Sequence, residues 1–151
     1  MSATQFKYHN DFKLTEQHTV AEAAKMLIDN RLSLLPVTNS TGKYVGAFSL
    51  NSLLALILPR AALMEGGLTD LSFLSDKLEI LKERMHAHSA RPLSDFLEKQ
   101  VPIIHPTTPL LEVVLHLYRA ENDIPVVDAQ SGQLLGLLLG TEFVSLLGAG
   151  A

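Results

Sequence analysis

The sequence has no cysteine, no long apolar run and no excess of positive charge, and each absence excludes a class of protein. Without cysteine the chain forms neither disulfides nor thiolate metal sites. Its 16 acidic residues outnumber the 12 Lys and Arg, for a net charge of -4, so the basic surface of a nucleic-acid-binding protein is missing. The apolar run from Leu53 to Leu58 stops at Pro59, far short of the roughly 20 residues of a membrane helix. We expect no nucleic-acid partner and no membrane span.

Catalytic motifs are also missing. The sequence contains no phosphate loop of the Gly-x-x-x-x-Gly-Lys kind, no Ser/His/Asp arrangement and no carboxylate pair. We therefore expect no enzymatic activity and no required cofactor. The first residues, Met1 to Gln5, are not a basic region followed by an apolar stretch, which favours a cytoplasmic location.

Histidine is the one titratable residue type whose occurrence in this sequence is unusual. His86 and His88 are two residues apart, and on a helix such side chains diverge by about 200°, so they favour a solvated helix end over a metal site. We expect no bound metal. A small metal-dependent enzyme that also uses His105 is an alternative, which metal analysis of the purified protein tests.

The sequence contains two copies of one unit. A shift of 90 positions superimposes the segment from Lys13 to Leu54 on a second helical apolar pattern and on a second pair of glycines. The pattern Val20, Ala23, Ala24, Leu27 and Ile28 falls on Leu110, Val113, Val114, Leu117 and Tyr118, and Gly42 and Gly46 fall on Gly132 and Gly136. Two such copies predict a pseudo-twofold domain whose ligand or partner sites lie between them.

Each copy predicts the order β-α-β-β-α. The apolar spacing indicates an amphipathic first helix, which begins at a Thr19–Glu22 capping box in one copy and at Thr108-Pro109 in the other. Two short strands joined by a hairpin follow, and then a second helix. The predicted segments are leading strands 11–15 and 101–105, strands 34–38 and 124–127, return strands 43–48 and 133–138, and second helices 50–58 and 141–147. Pro36 and Pro125 remove a ladder donor from their strands and predict a sheet edge or a strand start.

The predicted boundaries are a tail over 1–10, the first repeat over 11–59, an insert over 60–91 and the second repeat over 92–151. Within the insert, leucines spaced three or four apart predict an amphipathic helix that ends near His86: Leu71, Leu74, Leu78 and Leu81. This helix either covers an edge of its own domain or binds a partner, including a second copy of the chain.

Several segments resemble the cystathionine-β-synthase (CBS) domain. These segments are Leu35-Pro36-Val37, the run from Gly42 to Leu54, the run from Ile124 to Val127, the run from Gly132 to Gly136, and a lead-in made of the run from Arg91 to Leu97 and the run from Val101 to Pro106. The resemblance implies an α+β fold of two β-α-β-β-α CBS repeats packed with pseudo-twofold symmetry, often called a Bateman module, with an extra helix in the insert. It also implies a homodimer, and a cleft between the repeats that binds adenosine nucleotides in many members of the family.

The same resemblance implies the site residues. The family pattern after the return strand is glycine, two apolar residues, Ser or Thr, two variable residues and Asp, where the hydroxyl meets a phosphate and the acid holds a ribose. Here the first copy has Ser49 and Ser52 at those two positions, and the second has Leu139 and Glu142. With Pro36 and Pro125 of the preceding strands, these residues form the expected ligand site. Because Ser49 precedes a helix, it also fits a plain N-cap.

We expect a stand-alone regulatory module that binds an adenosine-type ligand and modulates a separate enzyme or transporter. Basic residues are scattered, so AMP, a nucleoside or S-adenosylmethionine is as reasonable a ligand as ADP or ATP. The alternative is a ligand-independent scaffold of the same fold that only dimerises or docks. The regulated partner is not indicated by the sequence.

Overall fold

A computed structural model describes residues 7–58, 77–120 and 123–148. The first repeat has the predicted order of a strand, a helix, two strands and a helix. These elements are β1 (Leu14–Thr15), α1 (Val20–Asn30), β2 (Leu34–Thr38), β3 (Tyr44–Ser49) and α2 (Leu50–Ile57). β1 pairs parallel with β2, and β2 pairs antiparallel with β3, so β2 is the central strand of this sheet.

The insert and the second repeat follow. The insert contributes α3 (Leu78–His86), and the second repeat contributes α4 (Leu110–Ala120), β4 (Ile124–Val127), β5 (Leu134–Leu138) and α5 (Gly140–Leu146). β4 and β5 form an antiparallel pair. The mixed α+β class is confirmed, with its helices and two small sheets.

The leading strands are shorter than predicted. In the first repeat only Leu14–Thr15 of the expected 11–15 is a strand. In the second, the expected strand over 101–105 is reduced to one parallel bridge between Ile104 and Val126. Pro102 and Pro106 flank Ile104 and have no N–H to donate, which limits the ladder there.

The helix starts differ between the repeats. The Thr19–Glu22 capping box is confirmed: the Thr19 hydroxyl accepts a hydrogen bond from the Glu22 backbone N–H, and the Glu22 carboxylate accepts one from the Thr19 backbone N–H. Thr108 is not an N-cap, because α4 begins at Leu110 and the Thr108 hydroxyl accepts the backbone N–H of His105 at 2.9 Å. Pro109 takes the place of Thr19, and its carbonyl accepts the N–H of Val113.

The sheet-edge prediction for Pro36 is wrong, since β2 is central. Pro36 is tolerated because β1 pairs only with Val37 and Thr38, one residue further along. On its other side Pro36 faces Ala47, whose N–H and C=O both bond to Glu98 instead. A missing donor at Pro36 therefore leaves no group of Ala47 unpaired.

Pro125 repeats this arrangement in the second copy. It faces Leu137, whose backbone groups both bond to His9. The segment before each repeat thus pairs with the return strand of the other repeat, Glu98 with Ala47 and His9 with Leu137. His9, which lies within the predicted tail over 1–10, is therefore tied to the second repeat.

The core also crosses between the repeats. One buried cluster is built mainly from the first repeat, and it includes Leu93 of the lead-in and Leu137 of β5. Leu139 packs against the same cluster. A second, smaller cluster lies between α4, β4, β5 and α5, and it includes Val113, Ile124 and Phe143. The two repeats are consequently packed as one unit.

The insert helix lies against the first repeat. Arg84 of α3 donates a hydrogen bond to the Ile57 carbonyl at the end of α2, at 3.1 Å, and Met85 packs on the first core cluster. These contacts favour the interpretation in which the helix covers its own domain. α3 ends at His86 as predicted, while Leu71 and Leu74 lie outside the described residues.

Candidate functional site

A cavity of about 600 Å³ opens between the two repeats, at the N-terminal end of α2. Three segments meet there: the start of α2, the lead-in to the second repeat, and the region between α4 and β4. The lining residues are Ser33, Leu34, Ser49, Leu50, Asn51, Glu98, Lys99, Gln100, Val101, Pro102, Arg119, Ala120 and Asp123. The cavity is large enough for a nucleoside-sized ligand.

Ser49 is the N-cap of α2 and is almost fully buried at the wall of this cavity. Its hydroxyl oxygen accepts the backbone N–H of Ser52 at 3.1 Å, and the Ser52 hydroxyl oxygen accepts the N–H of Ser49 at 3.0 Å. The two serines thus form a reciprocal capping box, as Ser/Thr and Glu usually do. The N-cap role of Ser49 is confirmed, and its side chain also lines the cavity.

Glu98 joins the two serines. The hydroxyls of Ser49 and Ser52 each donate to the same carboxylate oxygen, Oε1 of Glu98, at 2.7 Å. Such short bonds between a hydroxyl and an ionised acceptor are among the stronger hydrogen bonds in proteins. An acid is therefore present beside Ser49, and it comes from the lead-in to the other repeat rather than from position 52.

In the second repeat, the second helix carries an acid of its own but has no hydroxyl at its N-cap. Leu139 precedes α5 and has no hydroxyl to cap it. The acidic residue of this helix is Glu142. Its two carboxylate oxygens lie 2.9 Å and 2.8 Å from Nε2 of His9. His9 precedes the first repeat and contacts the second, just as Glu98 precedes most of the second repeat and contacts the first. Glu142 is bound to His9 and does not line the cavity.

Asp123 replaces the missing cap of α5. Its Oδ1 accepts the backbone N–H of Gly140 at 3.0 Å, and its carboxylate also accepts the Ser33 hydroxyl. Burial raises the pKa of Asp123 above its ordinary value, and the charge of Glu142 adds to the rise, while the bonds from Gly140 and Ser33 and the charge of His9 oppose it. A partly buried acid therefore lies between the repeats at the cavity wall.

The predicted site residues do not all meet. Ser49 lines the cavity, and Ser52 lies directly behind it through the capping box. Leu139 packs on the core, and Pro36 and Pro125 are buried in the strands without lining the cavity. The structure does not bring Ser49 and Glu142 into one cavity.

Glu98 and Asp123 were missed by sequence reasoning. A signal for Glu98 did exist, because the 89-residue offset that relates the first strands of the hairpins also relates His9 to Glu98. Lys99 and Arg119 were likewise not predicted to lie together, and both line the cavity with exposed side chains. Two acids and two bases balance the formal charge of the cavity wall.

A second cavity of about 680 Å³ lies between α4 and α5. Its wall is mostly apolar, with Val114, Leu117, Tyr118, Val144 and Leu147 among the lining residues. Tyr118 is 79% exposed, and Val144 is also exposed. This face of the second repeat is an apolar surface rather than a polar binding site.

His105 and His88 have separate partners. The Nδ1 of His105 donates to the Val127 carbonyl at 2.7 Å, and His88 makes an edge contact with the ring of Phe96. Within residues 7–58, 77–120 and 123–148 no cluster of three or more His, Asp or Glu side chains could hold a metal ion. Nor does any helix in these ranges have the length and apolar character needed to cross a membrane.

Comparison with solved structures identifies the fold. CBSX2 from Arabidopsis thaliana superimposes with a TM-score of 0.73 at 19% identity, over 97% of this chain and 93% of that protein. A structure of CBSX2 in complex with AMP gives a TM-score of 0.68 at 19% identity, over 97% and 95% of the two chains. A CBS domain-containing protein of unknown function from Bacillus anthracis gives 0.70 at 14% identity, over 100% and 95%.

Sequence comparison gives the family. No curated protein matches the chain. The family model of the CBS domain matches residues 9–59 and 93–148, which together make up more than half of the chain. The two matched ranges contain the two repeats and the lead-in segments that cross between them. The chain therefore belongs to the CBS-domain family, as a tandem pair of CBS domains.

Proposed function

We propose that this CBS pair is a regulatory module rather than an enzyme, which binds an adenosine-type ligand between its repeats and modulates a separate enzyme or transporter. The observation that carries the proposal is the cavity of about 600 Å³ at the start of α2, with Ser49 and Glu98 at its wall. The AMP complex of CBSX2, a protein of the same fold, supports an adenosine-type ligand. AMP, ADP, ATP and S-adenosylmethionine are the candidates.

Regulation requires that the ligand favour one arrangement of the repeats. A ligand that binds two arrangements equally shifts neither. The cavity wall is suited to this because Ser49 belongs to one repeat, while Arg119 and Asp123 belong to the other. A ligand that contacts both sides would resist their separation.

A thermal-shift panel of AMP, ADP, ATP, adenosine and S-adenosylmethionine tests ligand binding. A ligand at 100 times its dissociation constant stabilises the folded state by about 2.7 kcal/mol, which raises the melting temperature of a chain of this size by roughly 5–10 °C. Asn51→Trp fills the cavity from an exposed position and should abolish the shift. Gln130→Trp, in the exposed turn between β4 and β5, is the matched control and should retain it. A shift that persists in Asn51→Trp would place the ligand elsewhere.

One observation favours the alternative of a ligand-independent scaffold. Ser49 and Ser52 already donate their hydroxyls to Glu98, so the cap is complete without a ligand. In that case no compound of the panel moves the melting temperature, and the function is dimerisation or docking alone.

We also propose that the protein is a homodimer. The first repeat exposes Ile28 and Leu54, and the second exposes Tyr118 and Val144 at the equivalent positions. Ile28 is 72% exposed and Tyr118 is 79% exposed, so both large side chains leave apolar surface in contact with water. Two copies that bury these faces together would remove this surface from water.

A further inference from the structure

The start of α2 already carries a negative charge that belongs to the chain. The carboxylate of Glu98 lies at the N-terminal end of this helix, where the positive end of the helix dipole attracts an anion. A phosphate group would seek the same place for the same reason. Glu98 and a phosphate are therefore competitors for one position.

The hydroxyl groups of Ser49 and Ser52 are also fully used in hydrogen bonds within the chain. A hydroxyl group has one hydrogen to donate. Ser49 and Ser52 both donate their hydroxyl hydrogens to Oε1 of Glu98. Their hydroxyl oxygens accept the two backbone N–H groups of the capping box. Neither serine can donate to a phosphate unless Glu98 gives up a bond.

The second repeat offers a phosphate no better place. Asp123 accepts the N–H of Gly140 at the start of α5, and Leu139 supplies no hydroxyl there. The acid of this helix, Glu142, is bound to His9. Carboxylates of the chain thus lie beside the starts of both second helices.

The basic side chains of the cavity wall do not cancel the negative charge at the start of α2. Lys99 and Arg119 line the wall, but both side chains are exposed, where water and salt screen a charge strongly. Ser49 is buried and the Glu98 side chain is half-buried, so their interaction is screened less. The part of the cavity nearest α2 therefore repels a phosphate.

We propose that the cavity selects an adenine nucleoside whose 5′ group is uncharged or positively charged, and that Glu98 is the residue that discriminates against a 5′-phosphate. This inference rests on the proposed function, since it names the ligand class of the same cavity. Adenosine carries a neutral 5′-hydroxyl, and S-adenosylmethionine carries a sulfonium at that carbon. Both avoid the charge repulsion that AMP meets beside Glu98.

Calorimetric titration of the whole chain with adenosine, AMP and S-adenosylmethionine tests the proposal. In the wild type we expect adenosine or S-adenosylmethionine to bind at least tenfold more tightly than AMP. Glu98→Gln removes the charge but keeps an oxygen that accepts both serine hydroxyls. In this variant we expect the affinity for AMP to rise at least tenfold, with less than a threefold change for adenosine.

Two further variants make the test specific. Ser52→Ala removes a hydroxyl and leaves the Glu98 charge, so AMP should remain the weaker ligand. Glu79→Gln removes a carboxylate from an exposed position of α3 and should leave every affinity unchanged. Melting curves of each variant without ligand show that it is folded.

The outcomes separate this inference from the function on which it rests. If AMP binds the wild type as tightly as adenosine and S-adenosylmethionine, or if Glu98→Gln leaves the ratio of affinities unchanged, the selectivity is wrong while ligand binding stands. AMP binding that Arg119→Ala abolishes would also overturn it, by placing the phosphate on the exposed base. If neither these three compounds nor ADP or ATP binds the wild type or Glu98→Gln, the proposed function itself is overturned.

Discussion

His9 and Leu137 exchange both of their backbone hydrogen bonds, each with a nitrogen-to-oxygen distance of 2.9 Å. Glu98 and Ala47 make the same exchange in the other half of the molecule, at 2.8 Å and 2.9 Å. Each lead-in segment thus completes the hairpin of the opposite repeat. Neither repeat can unfold without releasing a strand contact of the other, so we expect the two to unfold together.

Gly136 is the residue that allows His9 to approach β5. A β-carbon on Gly136 would lie 2.7 Å from Cβ of Tyr8 and 3.1 Å from the His9 carbonyl oxygen, so Gly136→Ala forces the lead-in segment away. Overpacking of this kind costs about 1–3 kcal/mol. We expect a loss of that size in the free energy of unfolding, measured by urea denaturation.

Gly46→Ala is the matched comparison in the first repeat. Both glycines have similar φ angles, so the backbone cost of alanine is shared. A β-carbon on Gly46 would lie 3.1 Å from Cβ of Leu97 and from the Glu98 carbonyl oxygen, which requires a smaller shift. Gly46→Ala should therefore cost less than Gly136→Ala. Equal costs, or the reverse order, would contradict the close approach of Tyr8.

Asp123 should make the protein less stable as the pH rises. Burial raises the pKa of its carboxyl above the ordinary value of 3.8, so between the two values the folded chain holds a proton that the unfolded chain has lost. The free energy of unfolding then falls as pH rises through this window. Asp123→Asn lacks this carboxyl. The free energy of unfolding of the wild type minus that of the variant should therefore fall as the pH rises above about 4.

Asp128 provides a control of opposite sign. The backbone N–H groups of Ser131 and Gln130 lower the pKa of its carboxyl below 3.8, so its contribution is present above 3.8 and is lost as pH falls through the lowered pKa. The difference between the wild type and Asp128→Asn should therefore rise with pH. Urea denaturation at a series of pH values measures both differences, and the same sign for the two variants would contradict the environments described here.

Tyr44 has a hydroxyl oxygen that is buried and makes no hydrogen bond within the described parts of the chain. An unpaired buried polar group lowers stability by about 1–3 kcal/mol. Tyr44→Phe removes only this oxygen, so we expect the free energy of unfolding to rise by about 1 kcal/mol. Tyr8→Phe removes a hydroxyl from the segment before the first repeat and serves as the comparison. A clear loss of stability in Tyr44→Phe would show that its hydroxyl has a partner.

The same residue should limit stability in alkali. Burial, with a further contribution from the negative charge of Glu98, raises the pKa of Tyr44 to about 12. The folded chain then keeps this proton between pH 10 and about 12 while the unfolded chain loses it, so stability falls as pH rises through that range. Tyr44→Phe should reduce this decline, which denaturation at pH 9 to 12 measures.

The sequence was sufficient for two local features of the first repeat. The 3.6-residue spacing of Val20, Ala23 and Leu27 places α1, and Ser49 before an apolar helix gives its N-cap, because both signals act over a few residues. The role of Glu98 depends on contacts with Ser49 and Ser52, which are 49 and 46 residues away. No local pattern encodes which hairpin a lead-in segment joins, so the role of Glu98 came only from the structure.

The exposed apolar helix faces predict a dimer that a single charge weakens. Ile28→Asp and Tyr118→Asp each place a carboxylate among the exposed apolar side chains of one repeat. Desolvating an unpaired carboxylate costs more than the 1.4 kcal/mol that corresponds to a factor of ten in affinity, so the dissociation constant should rise by at least about tenfold. Sedimentation equilibrium measures this constant. Gln130→Asp adds the same charge at the hairpin turn and should not change it. A wild type that is monomeric throughout the concentration range, or a dimer that tolerates both substitutions, would mean that these faces do not bring two copies together.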